Sequence, residues 1–189
     1  MSYLVFRVGG IILAVLLLVG GVVFWNHYKN KKLQELAYKE YEISKLMHAG
    51  NYAKAKEVIS SASSKDSPFK PLFLSYSLYM STYVDEKIDE GKVTQEMIKS
   101  LKDRELLSLY RERYAYYLFK QGKTKEALKE LDAVGEKDFN WASAMLLKAQ
   151  ILKKEGRHKE AEEVLNKIKE KSFQTYFANM AQAIQFAGE

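Results

Sequence analysis

Residues 120–131 read KQGKTKEALKEL, and residues 154–165 read KEGRHKEAEEVL. Each has a glycine followed by an alanine five residues on, then bulky apolar residues at helical spacing. A third stretch, HAGNYAKAKEVI at 48–59, follows the same rule. Gly122 and Gly156 are 34 residues apart, and Gly50 and Gly122 are 72 apart, close to twice that period. A repeat of this length fits one helix, one tight turn and a second helix per unit. Gly50, Gly122 and Gly156 supply the turn, where a side chain would be costly. Ala55, Ala127 and Ala161 are small where the second helix presses on the first. A further unit is expected in the gap, over residues 69–101, although its Gly91 is followed five residues later by Glu96 rather than alanine.

Working outward, apolar residues recur at three and four through the rest of residues 33–189, as in Leu106, Leu109, Tyr110, Tyr114, Tyr117 and Leu118. Strand-like alternation is absent. The breaks fall at Gly50-Asn51, Ser61 to Pro68, Gly91-Lys92, Gly122-Lys123, Gly135 to Asp138 and Gly156-Arg157. Ser67-Pro68 has the form of an N-cap with proline at the first helical position. About nine helices joined by short turns are expected, the last near Phe173 to Phe186 as a cap on the stack.

The amino-terminal stretch has a different character. Val8 to Tyr28 reads VGGIILAVLLLVGGVVFWNHY, 21 residues without Asp, Glu, Lys or Arg. As a helix it would measure about 31 Å, the thickness of a bilayer core. It is too long for a signal peptide and no small-x-small cleavage site follows it. The expectation is an uncleaved transmembrane anchor within residues 1–28, followed by a helical domain over 29–189. Gly10, Ala14 and Gly21 share one helix face, a pattern that lets a helical partner approach. Lys29, Lys31 and Lys32 outnumber the cations before the run, which leans towards a cytoplasmic domain.

Composition narrows the chemistry. The chain has 189 residues, 47% hydrophobic and 29% charged, with a net charge of +6, three histidines and no cysteine. That balance is globular. It excludes disulfides, thiolate metal sites and a cysteine nucleophile. His27, His48 and His158 lie in separate segments, and no P-loop, G-x-S-x-G or H-E-x-x-H occurs. Asp85, Glu86, Asp89 and Glu90 cluster at a helix end, where a solvated face is the better reading than a cation site. No enzyme activity, cofactor, metal, small-molecule substrate or nucleic acid is expected.

These features resemble the tetratricopeptide repeat family. With the turn glycine as the fifteenth position, Ala115 and Ala149 fall at the eighth, and Leu46, Leu118 and Leu152 at the eleventh. Residues 114–168, with Leu131-Asp132, Trp141 and the closing glycine-alanine unit, also resemble the YfgM-like ancillary subunits of the bacterial Sec translocon. The resemblance implies an all-α protein: an N-terminal transmembrane helix, then a right-handed α-solenoid of about four divergent helix pairs with a capping helix. It implies a single-pass inner-membrane protein with a periplasmic domain, against the lean of the lysines. Its partners would be translocon subunits, chaperones or unfolded exported chains. The alternative is an anchored scaffold for another envelope or membrane complex.

In such an array the first helix of each pair lines the concave face. That face would receive Ala37, Glu40, Ser44 and Met47 from the first unit, Leu109, Glu112, Tyr116 and Phe119 from the third, and Ser143, Leu146, Gln150 and Lys153 from the fourth. Tyr76, Tyr83, Tyr110, Tyr114 and Tyr117 sit on a helical stripe and are expected to pack between helices. Tyr116, Phe119, Leu146 and Gln150 are the expected contacts for a bound polypeptide, since aromatic groups give contact area at low entropic cost.

Overall fold

A computed structural model describes residues 2–64, 66–84, 88–172 and 175–186; the side chains of residues 2–16 and of Tyr83 lie outside the description. The described residues form nine α-helices. They fall into two units, Met1–Ser64 and Lys65–Glu189.

In the first unit α1 (Ser2–His48) turns at Gly50 into α2 (Tyr52–Ser63). Leu36 and Ile43 of α1 and Ala55, Ile59 and Ala62 of α2 are buried. α1 continues unbroken through Lys29, Lys31 and Lys32, so the domain boundary expected after residue 28 falls inside one helix. The expected transmembrane anchor is corrected here. Among the described residues no helix is long and apolar enough to cross a membrane. Much of the run, residues 8–16, lies outside the described side chains. The single-pass inner-membrane placement falls with it.

The second unit runs α3 (Lys70–Tyr83), α4 (Glu90–Ser100), α5 (Arg104–Lys120), α6 (Thr124–Asp132), α7 (Trp141–Lys154), α8 (His158–Lys171) and α9 (Tyr176–Phe186). Each helix packs on the next, and the first helices of successive pairs also touch, α5 on α7 and α7 on α9. The core is built from Leu118, Leu131, Ile151, Leu152, Leu165 and Ile168, with Ala115, Ala144 and Ala149 fully buried among them. Burying each of the large side chains contributes ~1.5–3 kcal/mol before entropy is set against it.

The repeat is visible atom by atom. Gly50, Gly122 and Gly156 are left-handed, with φ of +71°, +76° and +74°. Behind each, the next residue's N–H closes onto a leucine carbonyl five residues back: Asn51 to Leu46, Lys123 to Leu118 and Arg157 to Leu152, all at 2.9 Å. This is a Schellman closure, which satisfies helix-end carbonyls and asks for glycine. Ala55, Ala127 and Ala161 then enter the second helix fully buried.

Gly91 differs from the expected turn. It lies inside the first turn of α4, after the N-cap Asp89, and without positive φ. Its role is tertiary, because a Cβ there would run into the Tyr117 ring of α5. The start of α3 is also shifted from Ser67-Pro68: Lys70 N–H bonds Ser67 O at 3.1 Å in a turn, and the helix begins at Lys70 with Pro71 in its first turn. The capping helix begins at Tyr176, and Phe173 lies outside the described residues. Phe177, Met180 and Ile184 pack on the core and Ala181 is buried, so α9 covers the α7–α8 pair.

Candidate functional site

Helices α5, α7 and α9 leave a groove of ≈ 550 Å³ between them, lined by Leu109, Glu112, Tyr116, Ser143, Gln150 and Phe177, with Arg113, Asn140, Leu147 and Phe139 completing it. Its walls are positioned by polar contacts between α5 and the loop that leads into α7. Arg104, Ser108 and Glu112 recur every fourth residue on one face of α5. Arg104 Nε donates to Asp138 Oδ1 at 2.7 Å, and Gly135 N–H donates to Asp138 Oδ2 at 2.6 Å. Asn140 Nδ2 donates to Glu112 Oε2 at 2.7 Å and to Ser108 O at 3.1 Å. Ser108 Oγ lies 2.7 Å from Asn140 Oδ1 and 2.8 Å from Glu105 O, and Ser143 Oγ donates to Glu112 Oε1 at 2.7 Å. Asp138 and Asn140 are buried. Buried polar groups with complete partners fix one arrangement, because the alternatives leave them unpaired.

That ladder has a consequence for the residue it encloses. With Asp138 and Asn140 both drawn inward, Phe139 is held outward and is 62% exposed. Tyr116 on α5 is 51% exposed. Two large exposed aromatics thus share one groove with the apolar side chains of Leu109, Leu147 and Phe177.

Tyr116 and Gln150 therefore line this groove, together with Leu109, Glu112 and Ser143 from the expected concave face. Leu146 is buried in the core at 7% exposure, and its neighbour Leu147 takes the groove position. Phe119 packs against the core beneath Lys154, whose Nζ is 4.9 Å from the ring centroid. Lys153 Nζ donates to the carbonyls of Ile184 and Gln185 and holds the end of α9. Ala37, Glu40, Ser44 and Met47 lie on α1 in the first unit. Tyr110, Tyr114 and Tyr117 are partly buried; Tyr114 and Tyr117 stack with centroids 6.4 Å apart. Burial, followed by the nearby Glu126 and Glu130, raises the Tyr114 phenol above its usual range. Asp89 is used as a cap, accepting from Lys92 N–H at 3.0 Å, while Asp85 and Glu86 lie outside the described residues. Among the described residues no group of acids and histidines could hold a metal ion.

A protein of Aquifex aeolicus (strain VF5), described only as uncharacterized, is 30% identical over 172 residues, 89% of this chain and 88% of that one. The chain belongs to the family of that protein. Residues 110–187 of this family member match the Psidin N-terminal TPR repeats region, so α5 to α9 form a TPR-like repeat region. No solved structure matches the chain. Tetratricopeptide-like repeats are protein-interaction modules, and the matched region spans most of the groove. Membership of the YfgM-like translocon subunits, and association with the translocon, are not shown by these comparisons.

Proposed function

We propose that the second unit binds an extended or partly unfolded polypeptide segment in the groove between α5, α7 and α9. The observation that carries this reading is the pair of exposed aromatics, Tyr116 and Phe139, in one groove with Leu109, Leu147 and Phe177, with Phe139 turned outward between the buried Asp138 and Asn140 of the polar ladder. Leaving two such rings in water is costly, and covering them is favourable at ~25 cal/mol per Å². Gln150 adds an exposed amide beside the groove that can pair with a peptide backbone. Protein partners, including chaperones or unfolded chains, fit this chemistry, and no catalytic role is proposed.

The test is calorimetric titration of a permanently unfolded polypeptide against the wild type and the variants Tyr116→Ala and Phe139→Ala. Both side chains are half exposed or more, so the fold should survive. Each substitution should weaken binding by about 1–2 kcal/mol, roughly 5–30-fold in Kd. Undiminished binding by the folded double variant would place the contact elsewhere.

A further inference from the structure

The helices that line the groove carry their charge on one side of the balance. α5 holds Arg104, Arg111, Arg113 and Lys120 against Glu105 and Glu112. α7 holds Lys148, Lys153 and Lys154 and no acid, and α9 holds no charge. The second helices differ: α6 has two lysines and three acids, and α8 has four lysines and four glutamates.

Part of the cationic excess is answered within the unit. Arg104 pairs with Asp138, Arg111 with Glu130 at 2.8 Å and Lys148 with Asp132 at 2.6 Å. The remainder gathers where α5 and α7 end. Those ends lie side by side, since Thr124 Oγ1 donates to Glu155 Oε1 at 3.1 Å. Lys120 and Lys154 make no ion pair among the described residues. Each stands over a ring instead, Lys120 Nζ at 5.8 Å from the Tyr116 centroid and Lys154 Nζ at 4.9 Å from that of Phe119. Lys153 bonds carbonyls and makes no ion pair among the described residues. Lysines in a last helical turn suit the helix dipole, yet that leaves the ammonium groups available to a ligand.

The acids nearby keep their charge, as the lysines do, but each faces a group other than Lys120 or Lys154. Glu112 takes one donor on each oxygen, from Asn140 and Ser143. A second recess of ≈ 810 Å³ shares Arg113 and Tyr116 with the groove and reaches Lys120, Asp89 and Glu90. Asp89 is tied to the Lys92 N–H. Glu90, in the same first turn, accepts from Ser81 Oγ at 3.1 Å and lies 3.8 Å from Arg113. Glu155 faces Thr124 and contributes to the field at Arg157. None of these acids answers Lys120 or Lys154.

We infer that the groove selects an acidic polypeptide segment with interspersed apolar side chains. An apolar side chain rests against Tyr116 and Phe139, and neighbouring Asp or Glu residues meet the field of Lys120, Lys153 and Lys154. The inference rests on the polypeptide-binding function proposed for the same groove. Exposed cations act through a screened field, so the selectivity is strongest at low salt.

The experiment uses three synthetic peptides with one shared pattern of Phe and Leu, carrying Glu, Gln or Lys at the other positions. All are acetylated and amidated, which removes terminal charge. Fluorescence anisotropy with the full chain at about 50 and 300 mM salt should show the Glu peptide at least ~10-fold tighter than the Lys peptide, with the gap closing at the higher salt. Lys120→Glu with Lys154→Glu should abolish or invert the order while the circular dichroism melt is unchanged. Equal binding of all three peptides, or a Glu preference that survives the charge reversal, overturns the inference and leaves the polypeptide-binding function standing. Failure of all three to bind overturns both.

Discussion

Asn140→Ala removes the centre of the polar ladder, and its cost can be worked from the partners it leaves. Asn140 donates to Glu112 at 2.7 Å and to Ser108 O at 3.1 Å, and its Oδ1 lies 2.7 Å from Ser108 Oγ. Ser108 Oγ keeps Glu105 O as an acceptor, and Glu112 keeps Ser143 as a donor. No partner is fully orphaned, so the loss stays near the net value of the bonds. Three bonds at ~0.5–1.5 kcal/mol, one of them to a carboxylate, give about 2–4 kcal/mol. Urea denaturation followed by circular dichroism should show the midpoint falling with the slope retained. Glu112→Gln keeps an acceptor for one donor and should cost less. A double-mutant cycle between Asn140→Ala and Glu112→Ala should show coupling of about 1 kcal/mol or more. Because the ladder also sets the outward position of Phe139, peptide affinity should fall together with stability. A change below ~0.5 kcal/mol, or additive behaviour in the cycle, would refute the argument that the ladder pins the groove wall.

Gly122→Ala should cost about 1–2 kcal/mol in the same denaturation assay, entirely from the backbone, since no atom lies within 4 Å of the added Cβ. Ala127→Leu and Ala161→Leu should each cost ~1–3 kcal/mol by overpacking, and unchanged stability in both would mean the repeat register is wrong. Gly91→Ala should destabilise through collision with the Tyr117 ring, and Tyr117→Ala in the same chain should relieve part of that collision, which a thermal melt of the pair against the single variants will show.

What the sequence made legible follows from whether a residue answers to local or distant geometry. Gly50, Gly122 and Gly156 are read easily because each is required by its own turn, and the paired alanines because close helix approach excludes anything larger. Gly91 has the same letter and another cause, a ring on α5 some 26 residues later, and periodicity holds no trace of that. Leu146 and Leu147 differ by one step, ~100° around a helix, and register alone placed the wrong one towards the groove. Phe139 was missed because its exposure depends on the partners of Asp138 and Asn140, which lie about 30 residues earlier on α5. The apolar run from Val8 reads as a span by hydropathy, whereas it continues into one long helix with the lysines beyond, and among the described residues no helix is long and apolar enough to cross a membrane.

The central claim is that polypeptide lies against the first helices of the second unit. Photo-crosslinking from a reactive side chain at position 116, compared with one at exposed Glu163 on α8, tests it directly. With an unfolded polypeptide present, adducts should form from position 116 and be absent or rare from position 163, and unlabelled acidic peptide should compete them away. Equal yields from the two positions, or adducts confined to 163, would contradict the account.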